Sequence, residues 1–182
     1  MSAHEPVGVA GSRAGKPSAC ANPAGSTGRF CKVRLSVTYL REAQMTEGYG
    51  LSDTGIDAAE AAGCALVITV DCGISGDAEI SEMAARGIDT VVTDHHECKA
   101  SLPADARAVI NPRRSGETYP FQGLSGAGVA LKLVHALSLR MGTGEIWREY
   151  LDFAALGTMA DVMPLIGENR IMVYYGIQSI QR

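Results

Sequence analysis

No apolar run in this sequence approaches the roughly 18 residues that a membrane span requires. The N-terminus also lacks the apolar stretch of a secretory signal. Both absences point to a cytoplasmic chain with no membrane partner. The five cysteines, at positions 20, 31, 64, 72 and 98, include no C-x-x-C pair. That argues against a zinc knuckle or a disulfide framework and for reduced thiols. Excess positive charge is missing as well, the formal net charge being -4. A nucleic-acid partner would therefore need a local basic groove, or regions outside this sequence. Aspartate is absent before Asp53.

What is present is 182 residues, 46% hydrophobic and 20% charged, a length and composition that suit one globular domain with a core. Two unlike segments make it up. Residues 1–45 are rich in Gly, Ala, Ser, Arg and Pro, and only 33–40 alternates as a strand would. Gly11-Ser-Arg-Ala-Gly15-Lys16-Pro17 imitates a phosphate loop but fails as one. Three residues separate its glycines where four are needed, and Pro17 stands where a hydroxyl should bind magnesium. We expect 1–45 to be irregular or non-native, with the composition of a GC-rich coding region read out of frame.

The remainder, 46–182, is regular. Ser52 or Asp53 caps an expected helix through Ile56, Ala59 and Ala62, stopped by Gly63. Residues 65–70 (ALVITV) form an apolar run rich in β-branched side chains, as a buried parallel strand requires. A helix is expected over 77–86 and a second buried strand over 90–93, ending at Asp94-His95-His96. This alternation predicts an α/β fold, a parallel sheet flanked by helices. An irregular Pro-containing stretch follows, then helices near 128–140 and 146–156, and an amphipathic C-terminal segment after Gly167.

Ligands of open parallel sheets gather beyond the carboxyl ends of the strands. Asp71 directly follows one expected strand and Asp94-His95-His96 the next, so neighbouring strands would bring them to one edge. Carboxylates and imidazoles converging there suit a divalent cation such as Mn²⁺, which polarises phosphate and activates water. The rival readings are ordinary. Asp71 could merely cap the next helix, Asp161 could be a turn residue, and the two histidines could be structural. His135, within an apolar helix, reads as a packed or edge histidine.

Val-Asp71-Cys-Gly-Ile-Ser75, Val-Thr-Asp94-His95-His96-Glu97, and Gly157-Thr-Met-Ala-Asp161-Val with Gly167-Glu-Asn-Arg170 resemble the second, third and fourth motifs of DHH phosphoesterases. Thr46-Glu-Gly-Tyr-Gly-Leu51, Val109-Ile-Asn-Pro-Arg113, Tyr119-Pro-Phe121 and Leu124-Ser-Gly-Ala-Gly-Val-Ala130 are similar to the RecJ branch of that family. The resemblance spans 46–182, a partial DHH domain. It implies 5′ to 3′ hydrolysis of single-stranded DNA by metal-activated water, with two Mn²⁺ (or Mg²⁺) ions. By the same resemblance Asp71 bridges the ions, while His95 and Asp161 complete one of them. His96 then lies near the scissile phosphate, and Asp94 orients its neighbours from behind. Gly126 and Gly128 either let a phosphate backbone approach or serve tight helix packing; Arg113 either contacts phosphate or is a solvated surface group. The family's first motif, Asp-x-Asp-x-Asp-Gly, has no counterpart before Asp53, so the second ion loses its principal ligands and catalysis is expected to be impaired. The alternatives are a DHH enzyme for short oligonucleotides or cyclic dinucleotides, and a non-catalytic scaffold.

Overall fold

The computed structural model describes residues 50–181. The expected irregular segment 1–45 and its strand at 33–40 lie outside them. The chain enters through helix α1, Asp53–Ala61, where Ser52 rather than Asp53 is the cap: its hydroxyl accepts the Gly55 N–H at 3.2 Å. Ile56 and Ala59, three residues apart, form its buried face.

Strand β1, Leu66–Val70, helix α2, Asp77–Ala85, and strand β2, Asp89–Thr93, form a strand–helix–strand unit. The two strands pair in parallel, Leu66 opposite Asp89 and Val70 opposite Thr93. A third strand, β3, Ala108–Ile110, pairs in parallel with β2, giving the order β1-β2-β3. This strand belongs to the stretch that the sequence reading treats as irregular. Only three residues long and partly buried, it carries too little periodicity to stand out.

Helix α3, Gly126–Met141, is capped by Ser125, and a short 3-10 turn, Ile146–Tyr150, leads into α4, Leu151–Ala160, and α5, Gly167–Ile180. The helix expected over 146–156 is thus a tight turn followed by an α-helix. Two apolar clusters make up the core. Ile56, Ile80, Met83, Val67 and Val92 join α1 and α2 to the strands. Leu124, Val129, Leu131, Leu151, Ala154 and Met172 join α3, α4 and α5, with Ile110 and Phe121 packed against them. Helix α4 approaches α5 closely because Gly176 presents no Cβ to the Leu151 carbonyl and Ala155. Among the described residues no helix is long and apolar enough to cross a membrane.

Candidate metal centre

The ladder hydrogen bonds continue one residue past β1 and β2. The Asp71 N–H donates to the Thr93 carbonyl at 2.9 Å, and the Asp94 N–H to the Ile110 carbonyl at 3.0 Å. Strand register therefore sets Asp71 and the Asp94-His95-His96 run side by side at the carboxyl edge of the sheet. Asp71 does not cap α2, whose N-cap is Gly76. It sits instead in the left-handed region, with φ of 65°. There Asp and Asn are tolerated better than most side chains. Two residues on, Gly73 has φ of 102° and packs so tightly on Thr69 that an added Cβ would lie 2.9 Å from its hydroxyl. The chain can turn away from the strand end there only with glycine.

Asp94 is 1% exposed and fully engaged. Its Oδ1 accepts the backbone N–H groups of His95 (2.7 Å) and His96 (3.1 Å), and the His96 Nδ1–H at 2.7 Å. Its Oδ2 accepts the Ile74 N–H at 3.0 Å. Three donors on Oδ1 and one on Oδ2 commit Asp94 to holding the Ile74 backbone, the histidine backbone and the His96 ring.

His95 is turned the other way. Its Nδ1 lies 3.0 Å from the Leu124 carbonyl, which can only accept, so that nitrogen carries the proton. In the neutral ring Nε2 then bears the lone pair. It faces Asp71 Oδ1 at 3.0 Å and Asp161 Oδ2 at 3.3 Å. Asp161 arrives from the end of α4, where its backbone N–H still bonds the Gly157 carbonyl at 3.0 Å. The residue after it, Val162, has φ of 53°, an outlier for a β-branched side chain. Among the described residues, Asp71 and Val162 are the non-glycine positions with positive φ. Strain of this kind concentrates at functional sites.

His95 Nε2 and Asp161 Oδ2 are both buried without a hydrogen-bond partner. Acceptors that face one another across about 3 Å repel unless a proton or a cation lies between them. This donor set, carboxylate oxygens and an imidazole nitrogen, is that of a hard or borderline divalent cation. The residues thus fit a bound Mn²⁺ or Mg²⁺. His96 joins them: a ligand atom from each of Asp71, His95 and His96 lies within 4.8 Å of the others. Since Asp94 takes the His96 Nδ1 proton, its Nε2 is the nitrogen able to coordinate. The sequence reading assigns His96 to the phosphate and leaves it off the ion, whereas the geometry admits it as a ligand.

Without a cation, burial presses the His95 imidazole towards neutrality, but the Asp71 carboxylate, with Asp161 and Asp94 beyond it, outweighs burial and raises its pKa above the ordinary histidine value. A bound cation reverses that balance.

The remaining candidates offer no ligand atom to the cluster. Gly126 lies against the Asp71 carboxylate, which occupies the space a Cβ would take; its smallness makes room for that side chain. A Cβ at Gly128 would meet Ser125 Oγ at 3.3 Å, within the α3 cap. Arg113 pairs with Glu97 at 2.7 Å and donates to the Gln122 carbonyl at 3.3 Å. His135 stacks on Trp147 with ring centroids 4.6 Å apart, a packing role. Asn111, which the Val109-Ile-Asn-Pro-Arg113 stretch includes without assigning it a role, is 2% exposed and follows β3. Its amide donates to the His96 carbonyl at 2.9 Å and its oxygen accepts the Arg113 N–H at 2.8 Å, fixing the backbone of the histidine pair. Recognising β3 would have exposed it as a third strand-end polar residue.

Residues 13–158 match the DHH family, N-terminal domain. The chain belongs to the DHH family. The match begins well upstream of Thr46, inside the segment that the composition sets apart. The single-stranded-DNA-specific exonuclease RecJ of Bacillus subtilis (strain 168) is 40% identical over 151 residues, 83% of this chain and 18% of the relative. A crystal structure of exonuclease RecJ bound to manganese superposes with a TM-score of 0.65 at 36% identity, covering 75% of this chain and 34% of the other. A crystal structure of RecJ from Thermus thermophilus in complex with Mn²⁺ gives 0.58 at 37% identity, over 68% and 18% of the two chains. The chain spans about a fifth of the length of the Bacillus relative. The α/β architecture, a small parallel sheet flanked by helices, is that of these RecJ structures.

Proposed function

We propose that this DHH domain binds Mn²⁺, or Mg²⁺ in its place, and belongs to an exonuclease that hydrolyses single-stranded DNA from the 5′ end. The observation that carries the reading is the convergence of Asp71 and Asp161 on His95 Nε2, at 3.0 and 3.3 Å. The Mn²⁺-bound RecJ structures and the single-stranded-DNA-specific relatives support it. When bound, the ion would polarise the phosphodiester and lower the pKa of a water.

The chain's own groups have distinct tasks in this reading. Asp71, His95 and Asp161 hold the ion, the Leu124 carbonyl keeps the His95 proton on Nδ1, and Asp94 keeps the His96 proton on Nδ1. His96, with 43% of its side chain exposed, is the outermost of these groups and the first that an incoming phosphate meets. A non-catalytic scaffold is disfavoured, because a deprotonated His95 facing two carboxylates at the sheet edge leaves acceptors opposed to one another unless a cation lies between them. The reading places the protein in a reducing cytoplasm, where cysteine thiols stay reduced. With no aspartate ahead of Asp53, the residues present provide for one ion better than for two, so turnover by this chain should be weak.

The test measures Mn²⁺ binding and nucleotide release from 5′-labelled single-stranded DNA, with double-stranded DNA and a cyclic dinucleotide as comparison substrates. Expected are Mn²⁺ binding that Asp71→Asn abolishes, and Mn²⁺-dependent release from single strands far slower than that of the Bacillus relative. A chain that binds no Mn²⁺, or that prefers the dinucleotide, overturns the reading.

A further inference from the structure

Asn169, in the first turn of α5, touches none of the ligands, yet it is tied to the segments that aim two of them. The residue is 0% exposed. Its Nδ2 donates to the Gly123 carbonyl at 2.7 Å and to the Pro164 carbonyl at 3.1 Å. Gly123 precedes Leu124, whose carbonyl holds the His95 ring by its Nδ1–H. Pro164 closes the turn that leaves Asp161 through left-handed Val162, a turn also held by the Met163 N–H bond to the Thr158 carbonyl at 3.1 Å. One buried amide therefore spans the loop behind His95 and the loop behind Asp161.

A purely cohesive role explains this arrangement poorly. The Asn169 Oδ1 is buried without a hydrogen-bond partner, an unfavourable state that an apolar side chain would avoid. Nearby Met172 and Val173 on the same helix supply apolar packing at 5% and 6% exposure. What Asn169 adds is two directional bonds to two carbonyls.

We propose that Asn169 is a positioning residue for the metal centre, clamping the Gly123 and Pro164 carbonyls so that His95 Nε2 and Asp161 Oδ2 face the same point. The inference rests on the metal-binding reading above. Groups that orient metal ligands without touching the ion typically change affinity by about 10–100-fold when removed, and the same range applies here. Asn169→Asp keeps the shape but sets a carboxylate oxygen against two carbonyl oxygens, so the clamp opens with little change in volume. Asn169→Ala removes it altogether.

The test uses the full 182-residue chain and two readouts. The first is Mn²⁺ affinity by electron paramagnetic resonance, beside the melting temperature in chelator. The second, on metal-free protein in alkaline buffer, is the His95 tautomer from long-range ¹H–¹⁵N spectra. Val173→Ala serves as a stability control and Asp71→Asn as a ligand-loss control. Expected are Mn²⁺ binding weakened about 10–100-fold in both Asn169 variants and loss of the single Nδ1–H tautomer of His95, while Val173→Ala changes neither. Where Asn169→Ala does not fold, Asn169→Asp carries the comparison. Affinity that tracks melting temperature across all variants, or an unchanged His95 tautomer in Asn169→Asp, overturns the proposal. If wild type and Asp71→Asn bind Mn²⁺ equally, the metal-binding reading fails instead, and the tautomer measurement still decides the clamp.

Discussion

The Asp71 carboxylate occupies the space that a side chain at position 126 would need. Asp71 comes from the end of β1 and Gly126 from the start of α3. The Asp71 carboxylate and the helix N-terminus are therefore in contact only because the second residue is glycine. The start of α3 thus lies beside a carboxylate, the sign of charge that backbone N–H groups at a helix N-terminus favour.

Gly126→Ala should displace Asp71 and weaken Mn²⁺ binding by at least tenfold, with a folding penalty of about 1–3 kcal/mol from overpacking. Gly128→Ala adds a methyl that meets Ser125 Oγ at 3.3 Å, and should cost less than about 1 kcal/mol with affinity retained. Paired urea melts and Mn²⁺ titrations check both, and equal effects at the two positions would contradict the assigned role of Gly126.

Mn²⁺ should stabilise the wild-type chain by about 2.7 kcal/mol at a hundredfold excess over its dissociation constant. Asp71→Asn should lose that increment. His135→Ala, which removes a ring stacked on Trp147, should lower stability by about 1–3 kcal/mol and keep the increment. Thermal melts with and without Mn²⁺ distinguish the two. Loss of the metal-linked increment in His135→Ala would mean that the site has been misplaced.

The pH dependence has a defined sign. His95 is raised above its ordinary value in the metal-free fold, by Asp71 first among the carboxylates. Its contribution to metal-free stability is therefore present below the unfolded histidine pKa, and is lost as pH rises through the folded one. Metal binding needs the opposite state, with Nε2 deprotonated. Mn²⁺ affinity should fall about tenfold per pH unit below the folded His95 value, while metal-free stability moves the other way. Calorimetric titrations across this range check it, and an affinity flat with pH would exclude His95 as a ligand.

Glu168 ties α5 to α3 and to the preceding loop, through an ion pair with Lys132 and a 2.7 Å bond from the Tyr119 hydroxyl. Burial alone would raise its pKa, but these partners lower it below the ordinary glutamate value. The stability it contributes is present above the unfolded pKa and lost as pH falls through the folded one. Glu168→Gln should remove about 1 kcal/mol at neutral pH and flatten that part of the acid limb. Urea melts at neutral and acid pH measure both, and an unchanged acid limb would assign it to other carboxylates.

The regular core of the fold is legible in the sequence, because buried parallel strands leave uninterrupted β-branched runs and glycines mark where their helices stop. Strand β3 is not, since three partly buried residues carry no period. Nor is the break at Tyr150, because the spacing of Ile146, Trp147, Leu151 and Ala154 continues through it. Asp71, His95 and His96 stand out as polar residues at strand ends, whereas Asp161, an ordinary turn residue by type, is singled out only by the resemblance to DHH phosphoesterases. The groups that aim them do not stand out: Asn111 and Asn169 bond backbone carbonyls 15 and 46 residues away, and the Leu124 carbonyl has no signature at all. Gly126 is visible as a small residue, but its neighbour Asp71 is far off in the chain and only the fold reveals the pairing.

The left-handed backbone at position 71 narrows the choice of ligand there before any ion arrives. Glutamate coordinates Mn²⁺ as readily as aspartate does, yet at φ of 65° it lacks the short side chain that makes this conformation tolerable. Asparagine and glycine suit the backbone but bring no charge. Aspartate alone satisfies both conditions, so descent with change at this codon is constrained twice over: most substitutions that preserve the chemistry strain the chain, and those that relax the chain discard the chemistry.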